Sequence, residues 1–140
     1  MELNCVFCAI VSGTAPASVV HEDEQLIAFC DLMPINPGHL LVVPKKHAAN
    51  LAELPEETGA LMFPLAQRLA ARIRRSPLPC DGINLSVCDG RAAGQSVFHS
   101  HLHVVPRVAG DGLGFPLHVD VRVATRSDLD QVAGLLRAEP

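Results

Sequence analysis

The chain has no tryptophan and no tyrosine, and only five phenylalanines among 140 residues. It therefore lacks the aromatic platform on which single-stranded nucleic acids are stacked. It also lacks a basic excess. Fifteen Asp and Glu against eleven Lys and Arg leave a formal charge of −4 and a pI near 5.9, which argues against a nucleic-acid backbone as the main partner and leaves small anionic ligands open. No apolar run is long enough to cross a bilayer, so no membrane partner is expected. Met1-Glu2-Leu3-Asn4-Cys5 has neither the basic start nor the apolar stretch of a secretory signal, which predicts a cytoplasmic protein with reduced cysteines. Internal repeats and low-complexity segments are absent as well.

What is present describes one packed domain over residues 1–140: 49% of residues are hydrophobic and 19% charged. A chain of this length buries roughly two-thirds of the surface its unfolded form exposes. Val19-Val20-His21 and Gln25 to Cys30 read as a hairpin around Glu22-Asp23-Glu24. The nearly continuous apolar run His39 to Pro44 predicts a strand buried on both faces. From Leu54 to about Ser76 the period becomes helical, with Leu61, Met62, Leu65, Leu69 and Ile73 on one stripe and Pro64 as an interior kink point. Arg68, Arg72, Arg74 and Arg75 then read as cations gathered toward the helix C-terminus. Ile83 to Cys88 and His99 to Val105 are further strands, and Gly110 to Gly114 is mobile by composition. Ser127 is placed to cap a closing helix that ends near Arg137. Strands, one long helix, then strands and a C-terminal helix indicate an α+β fold on an antiparallel sheet.

Three histidines stand on alternate positions, His99, His101 and His103. On a strand they would project from one face while Phe98, Leu102 and Val104 turn inward. A single strand histidine is usually a satisfied polar residue, but strict alternation of three is harder to dismiss. A metal held by all three is disfavoured, because strand residues i and i+4 lie about 13 Å apart and zinc needs each nitrogen within about 2.1 Å. Two of them could share a metal with ligands from elsewhere, and a histidine acting on something bound across the strand is the other reading. Separately, Cys5-Val6-Phe7-Cys8 is a Cys-x-x-Cys pair that could be two free thiols, a redox pair or part of a metal site.

The run His99-Ser100-His101-Leu102-His103-Val104-Val105 resembles the signature of the histidine triad (HIT) family. Two further blocks resemble that family in the same order: Glu22-Asp23, Ala28 to Asp31 and Pro37 to His47 upstream, and Asp89 to Val97 just before the triad. Together they cover residues 5 to about 112. The resemblance implies a HIT-like antiparallel sheet, a homodimer whose sheets join across the interface, and a purine nucleotide or nucleotide conjugate as ligand. It implies an enzyme that cleaves nucleoside phosphoramidates or dinucleoside polyphosphates, with His101 as the nucleophile that carries the nucleotidyl group. A neutral imidazole can attack at physiological pH without a separate base. A nucleotidyl transferase or phosphorylase would use the same intermediate, and a non-catalytic nucleotide-binding module is the rival from another class.

By the same resemblance His103 contacts the phosphate or protonates the leaving group. Gln95 and Ser96 hydrogen-bond the phosphate and the leaving-group atom, and Gly90 and Gly94 just before them let that loop's backbone approach an anion. Asp31 accepts the ribose hydroxyls. Phe7, Ile10, Phe29 and Leu32 line the base pocket, although each could equally be ordinary core. His39 supports the catalytic strand or makes a structural hydrogen bond. Cys5, Cys8, His47 and His99 match the Cys₂His₂ set of bacterial members, which implies a structural zinc with a closed shell. Cys30, Cys80 and Cys88 read as small apolar residues. The chain departs from the family pattern at Cys88, where an amide is usual, at Ser100, where an apolar residue is usual, and in having no C-terminal tryptophan.

Overall fold

A computed structural model describes residues 4–113 and 123–137. Its elements run α1 (Val6–Val11), β1 (Val19–Glu22), β2 (Leu26–Cys30), β3 (Leu40–Pro44), α2 (Glu56–Arg75), β4 (Gly82–Ser86), β5 (Leu102–Arg107) and α3 (Arg126–Arg137), with a short 3-10 turn at Arg91–Ala93. The strands form one antiparallel sheet in the order β1-β2-β3-β5-β4. In this register Leu41 of β3 and Ser86 of β4 flank His103 of β5. The α+β fold expected from the sequence is the one observed.

Strand alternation divides the core into two layers. Leu26, Ala28, Leu40, Val42, Leu102 and Val104 face α2, which presents Met62, Leu65, Ala66, Leu69 and Ile73. Ile27, Phe29, Leu41 and Val43 face the other way and pack against Phe7 of α1. Every residue of β3 is buried, so its unbroken apolar run serves both layers. Truncating a side chain as enclosed as Leu65 to alanine costs about 2–5 kcal/mol.

In α2, Glu56 and Glu57 in the first turn and Arg72, Arg74 and Arg75 in the last complement the helix dipole. Pro55 stands just before the helix, and Pro64 lies inside it. Leu61, expected on the buried stripe, is exposed, and Ala66 takes that place. The hydroxyl of Thr125, not Ser127, accepts the Asp128 N–H at 3.2 Å and caps α3. Leu129, Val132, Leu135 and Leu136 of α3 are exposed. Residues 110–113, expected to be mobile, form a hydrogen-bonded turn tied to Arg107, while position 114 lies outside the described residues. Among the described residues no helix is long and apolar enough to cross a membrane.

Candidate catalytic and metal site

Only His103 of the three alternating histidines lies in β5; His99 and His101 occupy the irregular stretch before it. The Ser100 N–H reaches the carbonyl of Ala48 at 2.7 Å instead of a sheet partner, which holds this stretch against the loop after β3. The expected inward turn of Phe98 does not occur. That ring is 39% exposed, with the Arg91 guanidinium carbon 5.0 Å from its centroid. His99 and His101 are buried, and Phe7 meets both edge-on, at 5.8 and 5.1 Å between ring centroids. The His101 and His103 centroids are 4.8 Å apart.

Hydrogen-bond partners assign a tautomer to each ring, since a backbone carbonyl only accepts and a backbone N–H only donates. His101 Nδ1–H donates to the His99 carbonyl at 2.7 Å, which leaves a lone pair on Nε2. His99 Nε2–H donates to the Pro44 carbonyl at 2.7 Å, which leaves its lone pair on Nδ1. The Ile35 N–H donates to His39 Nδ1 at 3.0 Å, so a neutral His39 carries its proton on Nε2. That proton is donated to His103 Nδ1 at 2.9 Å, and His103 in turn carries its own proton on Nε2. A relay of Ile35, His39 and His103 thus ends in a ring N–H available as an acid, beside a second ring, His101, available as a nucleophile.

Burial keeps these rings neutral. Desolvation is the largest influence on His39, His99, His101 and His103, and it lowers all four. For His103 the charges of His101 and His39 act in the same direction, and its value falls from 6.5 to about 4. Asp31 opposes the shifts of His39, His101 and His103. Its Oδ2 lies 3.4 Å from His39 Nε2, and its Oδ1 accepts the Met33 N–H at 2.9 Å.

The lone pair of His99 points at two thiols. His99 Nδ1 lies 3.3 Å from Cys5 Sγ and 3.7 Å from Cys8 Sγ, and Cys8 Sγ lies 3.4 Å from His47 Nδ1. Tetrahedral zinc with ordinary bond lengths sets sulfur and nitrogen ligands about 3.6 Å apart, so the four ligand atoms fit such an ion. All lie within 4.8 Å of one another. Cys5 also caps α1, its sulfur accepting the Cys8 N–H at 3.4 Å, so local helix formation itself brings both thiols to one side. Asp31, His39 and His103 form a second group of potential ligands within the same span. There the tautomers oppose a metal, because the Ile35 N–H occupies one nitrogen of His39 and its proton the other.

Gln95, expected to bind phosphate, is 5% exposed and has no spare donor. Its amide donates to the carbonyls of Ala49 at 2.8 Å and Val97 at 3.1 Å and accepts the Gly90 N–H at 2.7 Å. It closes the loop from inside. Gly90 and Gly94, with φ of 88° and 87°, provide the left-handed turns of that loop. Ser96 is exposed and opens onto a cleft of about 440 Å³ that it shares with Asn4, Val6, His47 and Phe98. Phe7 and Phe29 are core residues in edge contact at 5.5 Å, with Ile10 packed beside them. Leu32 is 96% exposed and lies outside that buried cluster. Cys30, expected among apolar neighbours, is exposed, and Cys80 donates to the Gly82 carbonyl at 3.3 Å. The α1 helix, the Ile35 N–H and the anchoring carbonyls of Pro44 and His99 had no expected role. Backbone groups carry no residue signature from which one could have been read.

A family model described as the HIT domain matches residues 12–110. An uncharacterized HIT-like protein of Mycobacterium tuberculosis is 46% identical over 111 residues, 79% of this chain and 76% of that protein. The crystal structure of a zinc-bound histidine triad family protein from Mycobacterium smegmatis is similar at TM-score 0.77 and 45% identity, covering 98% of this chain and 99% of the other. That of a histidine triad nucleotide-binding protein from Candida albicans is similar at TM-score 0.82 and 27% identity, over 96% and 95% of the two chains.

Proposed function

Because the chain belongs to the HIT family, we propose that it is a cytoplasmic nucleotide hydrolase that cleaves nucleoside phosphoramidates or dinucleoside polyphosphates through a nucleotidyl group carried on His101. The observation that carries this reading is the hydrogen bond from His101 Nδ1 to the His99 carbonyl, which presents the opposite nitrogen as a free base. His101 Nε2 attacks the α-phosphorus, and the bond from phosphorus to the leaving nitrogen or oxygen breaks. The leaving group takes the proton of His103 Nε2. Water then attacks the phosphorus, its proton returns to His103, and the free nucleotide leaves with His101 regenerated. Asp31, partly exposed at the end of β2, is the acceptor for the ribose hydroxyls, and the exposed hydroxyl of Ser96 meets the phosphate or leaving group. Phe7, Phe29 and Ile10 back the base, with Leu32 as its outer wall.

Cys5, Cys8, His47 and His99 would hold a zinc ion. With four protein ligands it supplies a crosslink and no open position for chemistry. It would fasten α1, and with it Phe7, to the residue whose carbonyl orients His101. A homodimer belongs to the same reading, since β4 is an edge strand and Leu61 and Phe63 are exposed on α2; sedimentation of a monomer would remove that part.

Brief incubation of the protein with a nucleoside phosphoramidate, followed by mass spectrometry, should show one nucleotidyl group added to the wild type and none to His101→Ala. Saturable nucleotide binding with neither adduct nor product would favour the non-catalytic module. Turnover that requires inorganic phosphate would make the enzyme a phosphorylase.

A further inference from the structure

We infer that Asp111 and Asn36 are positioning residues for the acid step: they hold the Ile35 N–H on His39 and thereby keep the proton of His103 on its outward nitrogen. This rests on the proposed reaction, in which His103 protonates the leaving group. Asn36 follows Ile35 directly, so whatever fixes Asn36 fixes the Ile35 amide. The Asn36 amide donates to the Pro106 carbonyl and to Asp111 Oδ2, each at 3.0 Å. The Asn36 carbonyl accepts the His39 N–H at 3.0 Å, and the His39 carbonyl accepts the Asp31 N–H at 2.9 Å. Asn36 thus sits between the loop that carries the relay and β5, which carries His103.

Asp111 is built to hold that junction. Its side chain is 10% exposed and takes a two-point grip from Arg107, Nε to Oδ2 at 2.8 Å and Nη2 to Oδ1 at 2.7 Å. It also accepts the N–H groups of Val108 and Leu113. Arg107 is fixed in turn by Asn84 Oδ1 of β4 at 2.8 Å and by the Leu113 carbonyl. A planar guanidinium bound at both carboxylate oxygens has one orientation, so the Oδ2 offered to Asn36 is fixed in space. Stabilising the 108–113 turn alone would not require a bond to the loop before β3. The bond to Asn36 is the one that reaches the histidines. Without it the Ile35 amide is free to leave His39 Nδ1, and both protonated forms of His39 become open. The form with its proton on Nδ1 offers only an acceptor toward His103, whose proton then moves to the inner nitrogen and is lost to the leaving group.

The test uses the full chain with Asn36→Ala and Asp111→Ala. Nitrogen NMR of the imidazoles should show His39 and His103 as single Nε2–H forms in the wild type and as mixed forms in both variants. Turnover of a phosphoramidate, whose amine must be protonated to leave, should fall about tenfold or more, while a para-nitrophenyl ester of the same nucleotide, whose anion leaves unaided, stays within about twofold. Equal losses on both substrates, or unchanged tautomers, would overturn the proposal. If Asp111→Ala does not fold, Asn36→Ala decides alone. If the wild type cleaves neither substrate the hydrolase reading fails, and the tautomers still decide the positioning role.

Discussion

The ring of His101 is held by the backbone of His99, Nδ1 to carbonyl oxygen at 2.7 Å, across a single intervening residue. His99 directs its own ring elsewhere, Nδ1 toward Cys5 and Cys8 and Nε2 toward Pro44. One residue therefore serves two places, the thiol cluster by its side chain and the His101 ring by its main chain.

Replacing His101 by alanine removes the nitrogen proposed to attack and leaves that carbonyl unchanged. Turnover should fall about a thousandfold or more with the fold intact. Steady-state rates beside circular dichroism of the variant would check both halves, and near-wild-type turnover would refute the nucleophile.

At His39 two substitutions should separate. His39→Gln keeps an amide donor near the position of Nε2 and should retain turnover within about tenfold. His39→Leu removes the donor and should lose about a hundredfold. Equal rates for the two would show that the bond to His103 Nδ1 has no part in the reaction.

Stability should depend on the protonation of His103. Its value is 6.5 when unfolded and about 4 when folded, chiefly through burial, so between these limits the unfolded chain binds the additional proton. The contribution of the neutral ring is complete above about 6.5 and is lost as pH falls toward 4. Denaturant unfolding across this window should show stability falling with pH in the wild type and a shallower fall in His103→Asn. Parallel slopes would count against the shift.

Metal content should follow the thiols. Cys8→Ser should lose bound zinc and lower the melting temperature, and a chelator should reproduce the drop in the wild type without a further effect on the variant. Metal analysis beside calorimetry checks this, and zinc-free, fully stable wild-type protein would contradict it.

Gln95→Glu preserves shape but removes both amide donors, leaving the carbonyls of Ala49 and Val97 short of partners. Each buried group left unpaired costs about 1–3 kcal/mol, so thermal unfolding should come several degrees earlier. An unchanged melting point with weaker nucleotide binding would restore Gln95 to the phosphate.

The parts of this fold legible in the sequence's own pattern are the apolar run of β3 and the helical period of α2, while the Cys/His set that meets around His99 came from the resemblance to the HIT family. Helix α1 escaped because six residues are too few to show a period, its β-branched ends favour other conformations, and its cap is the sulfur of Cys5 rather than a hydroxyl or carboxylate. The alternation of His99, His101 and His103 suggested a continuous strand, yet the Ser100 amide is drawn off by Ala48 before the ladder begins. Gln95 could serve an anion or a carbonyl equally well, and only the surrounding backbone decides. Ile35 acts through a group that every residue except proline possesses.

Cys5 Sγ and His99 Nδ1 meet across 94 residues of chain, and Phe7 rests on His101 across the same span. Closing so long a loop is entropically costly until other contacts have shortened it. On a ribosome Phe7 can meet Phe29, Leu41 and Val43 as soon as β2 and β3 are made. Its contacts with His99 and His101 must wait for the residues that lead into β5, so the wall that these rings share is completed last.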